Sequence, residues 1–214
     1  MPDPISLIPF LFVLALVPLA AVMVTAYTKL VVVFALLRNA LGLQQVPPPM
    51  VTNGLALVLT AFIMMPVIQE GMALMDPQTG LPPPDLSIID VFNTIKEPLR
   101  EFLIRHASER ELDFFMQAAQ RSLSPEAAAA LSRVDFAILI PAFTVSELTE
   151  AFMIGFLLFL PFVVIDLLVA NTLLALGMMM MPPPLVSLPI KLLLFVMLDG
   201  WSRLVHSLSL SYLS

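Results

Sequence analysis

Four long stretches of the chain carry no formal charge. Pro4 to Thr28 is 25 residues without Asp, Glu, Lys or Arg, Asn39 to Gln69 is 31, Ala151 to Ile165 is 15 and Leu167 to Ile190 is 24. A helix of about 20 apolar residues crosses the ~30 Å hydrocarbon core of a bilayer. The pattern predicts four long apolar helices, at about 5–37, 50–75, 142–177 and 185–212. They are imperfect membrane spans, because Lys29, Asp166, Lys191, Asp199 and Arg203 fall within or near them. A charge at mid-bilayer costs about 2.5–3.5 kcal/mol on insertion scales, so such residues usually face protein or water. Pro18, Pro66, Pro161 and Pro189 free backbone groups that neighbouring helices must satisfy. Two readings stand side by side: an ordinary polytopic protein with a few buried ion pairs, or helices packed against other protein over most of their surface. The first helix opens with Met-Pro-Asp-Pro and has no basic stretch, and its apolar run is too long for a signal-peptide core, so no cleaved signal is expected.

The charges gather in the middle. Of 26 charged residues, 16 lie between Asp76 and Asp135, ten acidic and six basic. The chain therefore divides into a first long helical hairpin (1–75), a polar helical insertion (76–141) and a second long hairpin with a Met-rich tip (142–214). Arg38 follows the first helix and Lys191 is the next charge beyond the second tip. The positive-inside rule then favours both tips on the cytoplasmic side and the polar insertion outside. Asp76 to Asp85 reads as a turn-rich linker. Beyond it, Ile95, Leu99, Phe102 and Leu103 recur at helical spacing, as do Leu112, Phe115, Met116 and Ala119. Pro98 falls inside the first stripe, so that helix is expected to start there rather than earlier. Glu101 stands four residues before Arg105, the favourable order for a helical ion pair. Ser124-Pro125-Glu126 before four alanines is a helix start, with Ser as N-cap and Pro in the first turn. About sixty residues bury little core alone, so these stripes pack on each other, on the long helices or on another subunit. If Phe115 points inward, Phe114 points elsewhere, towards a contact surface or an intramolecular gap.

Residues 40–51, ALGLQQVPPPMV, and 175–186, ALGMMMMPPPLV, share seven of twelve positions without a gap. Gly is common just past a helix end and Pro often follows it. Each copy is a helix stop, a loop and a helix start. The repeat predicts two helical hairpins in the same order, with tips at one end of the molecule, as in parallel-repeat transporters. The first tip carries Gln44 and Gln45, the second Met178, Met179, Met180 and Met181. Met is unbranched, flexible and polarizable. The run either fills gaps at a hairpin turn or forms a deformable apolar seal, several copies of which would close a pore by dewetting.

Composition narrows the class. The chain is 59% hydrophobic and 12% charged, against about 25% charged in soluble proteins. A soluble globular domain is therefore unexpected, and disorder is excluded. A net charge of −6 argues against a dedicated nucleic-acid binder. With no Cys there is no disulfide and no thiolate chemistry. Nucleotide-binding, hydrolase and metalloprotease motifs are absent, and His106 and His206 have no metal-ligand partner at useful spacing. No catalytic residue, cofactor or metal is implied. Glu147 and Glu150 stand three apart at the expected start of the third helix, where they complement its dipole. Asp166 and Lys191 pair within the hairpin or between subunits, or each finds another partner.

The chain also resembles a known family. The first arm carries Lys29-Leu-Val-Val-Val-Phe-Ala-Leu-Leu-Arg38, then Gly42 and Gln44-Gln45-Val-Pro-Pro. The second carries Pro141-Ala-Phe143, Ser146-Glu147-Leu148, Gly155-Phe156, Pro161-Phe162, Ile165-Asp166, Gly177-Met178-Met179-Met180, Ser187-Leu188-Pro189, Lys191-Leu192 and Asp199-Gly200-Trp201. This resembles the SctR/FliP family of bacterial type III secretion and flagellar export gates, over both arms and more than half the chain. The lack of a cleavable signal tilts the resemblance towards the injectisome, or virulence, branch. It implies a non-enzymatic pore subunit. Five copies would stand with one SctT/FliR-like subunit and a few SctS/FliQ-like hairpins, largely at the periplasmic side of the bacterial inner membrane within the secretion base. Unfolded secreted protein would be the cargo, with energy from a separate ATPase and the proton motive force. The family's methionine gasket maps onto Met178, Met179 and Met180, which Met181 extends by one residue, and Glu147 maps onto an acid in subunit contacts. Asp166, Lys191, Asp199 and Arg203 are expected to form structural ion pairs between helices. Two rivals from other classes are a small secondary transporter and a membrane scaffold that only docks partners.

Overall fold

A computed structural model describes residues 15–16, 18–43, 47–72 and 88–213. Its regular elements among these residues are all α-helical, in agreement with the all-α expectation. In chain order they are α1 (Tyr27–Leu41), α2 (Pro49–Ile63), α3 (Met65–Met72), α4 (Ile88–His106), α5 (Glu109–Ser122), α6 (Pro125–Ala130), α7 (Phe136–Ala175), α8 (Pro184–Met197) and α9 (Gly200–Leu210). The linker read at Asp76 to Asp85 lies outside the described residues.

Three of the four expected long helices are interrupted. Residues 18–23 are helical, but the chain breaks at 24–26 before α1, where the Thr28 hydroxyl donates to the Val22 carbonyl (2.9 Å). The second is divided at Met64 into α2 and α3. Pro66, the second residue of α3, has no N–H to give the preceding turn. The fourth bends by 59° between α8 and α9. Asp199 makes that corner in the left-handed region (φ 57°), a conformation Asp tolerates better than most residues. Only the third is continuous. α7 runs 40 residues through Pro141 and Pro161, starting six residues before the expected 142. At 1.5 Å per residue it is about 60 Å long, twice a hydrocarbon core. Its most apolar window has a mean hydropathy of 2.7 and is only 17% buried. Among the described residues, α7 alone is long and apolar enough to cross a membrane, or two spans if the bent α8–α9 pair counts as one.

The chain forms two compact units that alternate along the sequence. One combines the segment ending at Thr28 with Thr60–Glu147, the other Lys29–Leu59 with Leu148–Ser214. In the first unit, Leu103 of α4, Leu112 of α5 and Ile138, Leu139, Ala142 and Phe143 of α7 form a buried core. Leu99, Phe102, Phe115, Met116 and Ala119 pack against it, so the described side chains of both predicted apolar stripes face inward, that of Ile95 lying outside them. Pro98 does not start α4 but sits inside it. A Pro costs the helix one N–H bond, and the packed stripe that follows holds the segment helical. The Glu101–Arg105 pair is not formed among the described residues. Instead Arg100 binds Glu97 (2.7 Å) and covers the Phe136 ring (5.1 Å). Ser124 caps α6 as expected, accepting from the Ala127 N–H (3.4 Å). Ser108 caps α5 through the Glu111 N–H (3.4 Å), the start of a Ser-x-x-Glu capping box that the periodicity alone had not revealed.

In the second unit α1 buries Leu30, Val33, Phe34, Leu37 and Leu41, a stripe at helical spacing. Trp201 stands edge-on to Phe34 (6.0 Å) and to Phe195 (5.7 Å). Gly155 lets α1 approach α7 closely, since a Cβ there would lie 2.2 Å from Leu36 Cδ1.

Candidate functional site

Two loops of the second unit end their helices with the same hydrogen bonds. After α7, Gly177 has φ 74°, its N–H donates to the Leu174 carbonyl (3.0 Å) and the Met178 N–H to the Leu173 carbonyl (2.9 Å). After α1, Gly42 has φ 76°, its N–H donates to the Asn39 carbonyl (3.0 Å) and the Leu43 N–H to the Arg38 carbonyl (3.1 Å). Both are Schellman closures, which need a residue that accepts positive φ. A side chain at either glycine would meet no atom within 4 Å, so backbone conformation and not space calls for Gly. The next helices begin at Pro49 and Pro184, each the last proline of its triplet.

Between Gly177 and Pro182 lies the methionine loop. The Met181 N–H donates to the Met178 carbonyl (3.2 Å), which tightens the turn. Two of the side chains stand clear of the chain, Met180 at 98% exposure and Met179 at 79%, while Met178 and Met181 are partly covered, at 41% and 38%. Four consecutive thioethers are thus presented to whatever adjoins this end of the unit. Gln44 and Gln45 of the first tip lie outside the described residues.

A buried lysine ties the helices behind both loops. Lys191 of α8 donates to the Asp166 carboxylate of α7 (2.6 Å) and to the Ala40 carbonyl in the last turn of α1 (3.2 Å). The last four carbonyls of a helix lack intrahelical partners. The Schellman bonds take those of Arg38 and Asn39, and Lys191 takes that of Ala40. A cation there also complements the helix dipole. The Asp166 side chain is 44% exposed, so its ion pair is partly screened by solvent.

A second buried lysine secures the other end of α1. Lys29 donates to Glu150 (2.7 Å) and lies under the Tyr212 ring (4.1 Å to the centroid). The sequence flagged Lys29 only as a charge in an apolar helix. A signal existed, because Lys29 and Glu150 are two of only ten charges outside the polar middle. The helix-start reading of Glu147 and Glu150 is corrected. α7 begins at Phe136, so both sit three to four turns inside it, beyond the first turn where the dipole acts. Glu147 is fully buried. Asp199 and Arg203 are exposed and form no ion pair among the described residues. Asp199 instead shapes the corner, its carbonyl accepting from the Arg203 N–H (3.0 Å). Arg203 lines an apolar cavity of ≈ 400 Å³ between α7 and the α8–α9 bend. Phe114 is exposed, edge-on to Phe115 (5.2 Å). No cluster of His, Asp or Glu among the described residues could hold a metal ion.

The FliP family profile matches residues 10–208, and the chain belongs to the FliP family. It is 49% identical over 209 residues to the hypersensitivity response secretion protein HrcR of Ralstonia nicotianae, covering 97% of this chain and 96% of the relative. It is 48% identical over 218 residues to the Yop proteins translocation protein R of Yersinia pestis, at 99% and 98% coverage. Against the flagellar biosynthetic protein FliP of Bacillus subtilis the identity is 38% over 208 residues, at 97% and 91% coverage.

Proposed function

We propose that the chain is a non-enzymatic core subunit of a type III protein secretion export gate. Five copies form a ring at the bacterial inner membrane, largely on its periplasmic side within the secretion base. The ring conducts unfolded polypeptide, and the Met178–Met181 loop seals it. The two hairpins are parallel repeats. SctT/FliR-like and SctS/FliQ-like subunits complete the gate. Glu147, Asp166 and Lys191 hold helices together within each copy, and the exposed Asp199 and Arg203 contact neighbouring copies.

The observation that carries this reading is the rigidly anchored loop with uncovered thioethers. Its α7 end is closed by backbone bonds and the Lys191–Asp166 pair ties the two helices that flank it, while Met179 and Met180 are largely exposed. An exposed apolar cluster calls for a partner. Identical loops meeting on an axis supply one, and flexible Met side chains re-pack around a passing chain and close behind it. A ring of apolar side chains narrow enough to dewet excludes hydrated ions. The relatives named for secretion and translocation support the cargo class. A helix of about 60 Å whose most apolar window is only 17% buried suits an assembly in which protein, more than lipid, surrounds it.

The chain has no Cys, so a single introduced thiol reports on loop proximity. In the co-expressed complex, Met180→Cys is expected to give disulfide-linked dimers of this chain under mild oxidant, and a Cys at Phe114 none. Absence of the Met180→Cys dimer means that the tips do not converge and removes the seal.

A further inference from the structure

We infer that Met179 and Met180 are an oxidation site through which two-electron oxidants open the gate, an inference that rests on the seal reading above. Thioether oxidation requires an oxidant to reach the sulfur, and its product is a polar sulfoxide in place of an apolar group. With hypochlorous acid, one oxygen atom passes to sulfur. The sulfur loses two electrons, chlorine gains them, and chloride and a proton leave.

The chain has 14 methionines. Met64 is buried at 6% exposure, whereas Met179 and Met180 stand at 79% and 98%. Met50, Met153 and Met197 are also exposed, at 82%, 62% and 76%, but they project from the apolar helices α2, α7 and α8. In the proposed ring such helix faces lie against neighbouring subunits or lipid. Within that ring the tip alone borders the aqueous pore, so small oxidants reach it from the water on either side.

The loop is also built to survive the change. Its shape rests on the Gly177 and Met178 N–H bonds to α7 and on the bond from the Met181 N–H to the Met178 carbonyl. None of these involves sulfur. Sulfoxidation therefore alters the chemistry of the tip and leaves the hairpin intact. Each sulfoxide places a strong hydrogen-bond acceptor where the seal needs a surface that water leaves, and a wetted constriction conducts ions. Methionine sulfoxide reductases reverse the step, so the device resets.

The test uses the purified, co-expressed gate complex in detergent and in planar bilayers. It is titrated with hypochlorous acid, mapped by peptide mass spectrometry, and then treated with the two methionine sulfoxide reductases and dithiothreitol. Met179 and Met180 are expected to gain oxygen before Met50, Met153 and Met197, with conductance rising in step and returning after reduction. In a double variant, Met179→Leu with Met180→Leu, the oxidant is expected to raise conductance far less above that variant's own untreated level, because only Met178 and Met181, at 41% and 38% exposure, remain at the tip. Oxidation of the helix methionines ahead of the tip overturns the site. Tip oxidation with flat conductance overturns the switch. Neither result touches the seal itself, which loop removal tests separately without oxidant.

Discussion

Deleting Met178–Met180 is expected to leave the complex assembled and to make it leak ions. Each Met side chain moved out of water contributes about 1.5–3 kcal/mol. Losing three per chain removes at least about 4.5 kcal/mol from the closed state, and 1.4 kcal/mol is about tenfold in an equilibrium constant. The closed-to-open ratio then falls by roughly a thousandfold per chain. Assembly persists because the residues that anchor the hairpin lie elsewhere. Met181 comes to follow Gly177 and can donate its N–H to the Leu173 carbonyl in place of Met178. Replacing the three methionines with glycine keeps the loop length and is expected to leak in the same way. Conductance is read in planar bilayers, with the subunit ratio of the complex checked in parallel. Unchanged conductance in both variants would sink the seal.

Lys191→Met is expected to destabilise the fold by about 2 kcal/mol, and Asp166→Asn by under about 1 kcal/mol. Met keeps most of the apolar stem, so the difference isolates the ammonium group. That group donates to the Ala40 carbonyl at a buried position, and hydrogen bonds involving a charged group are worth about 1.5–3 kcal/mol. Its ion pair with the half-exposed Asp166 adds less, as exposed pairs contribute about 0–1 kcal/mol. For a chain of this size 1 kcal/mol moves Tm by about 2–4 °C, so Lys191→Met should lose about 4–8 °C in detergent. Equal losses in the two variants would place the stabilisation in the ion pair and not at the end of α1.

Much of this was legible from residue types. The all-α class, the two apolar stripes of the first unit and the Ser124 helix start follow from period and capping chemistry, which are local. The Gly42 and Gly177 helix stops were legible for the same reason. Helix continuity was not. The breaks at 24–26, Met64 and Asp199 occur inside apolar sequence, where hydropathy does not register a bend. α7 runs through Pro141 and Pro161 while α3 starts beside Pro66, so the local effect of Pro did not decide the outcome. At the candidate site, the methionines were conspicuous because four of one residue type stand in a row. The Lys191 bond to Ala40 spans 151 positions and the Lys29 bond to Glu150 spans 121. Such pairings depend on which helices become neighbours, which no local pattern encodes. The pattern puts Glu147 at a helix start because it begins α7 at 142, six residues after Phe136 where the helix starts.

The central claim is a ring of identical chains whose methionine loops meet. It is tested most directly by native mass spectrometry of the detergent-extracted chain, expressed alone and with the genes of its secretion operon. The account predicts a pentamer of 23.5 kDa chains that gains further subunits on co-expression. A stable monomer or dimer that recruits no partner would contradict it, because no ring could then bring the loops together.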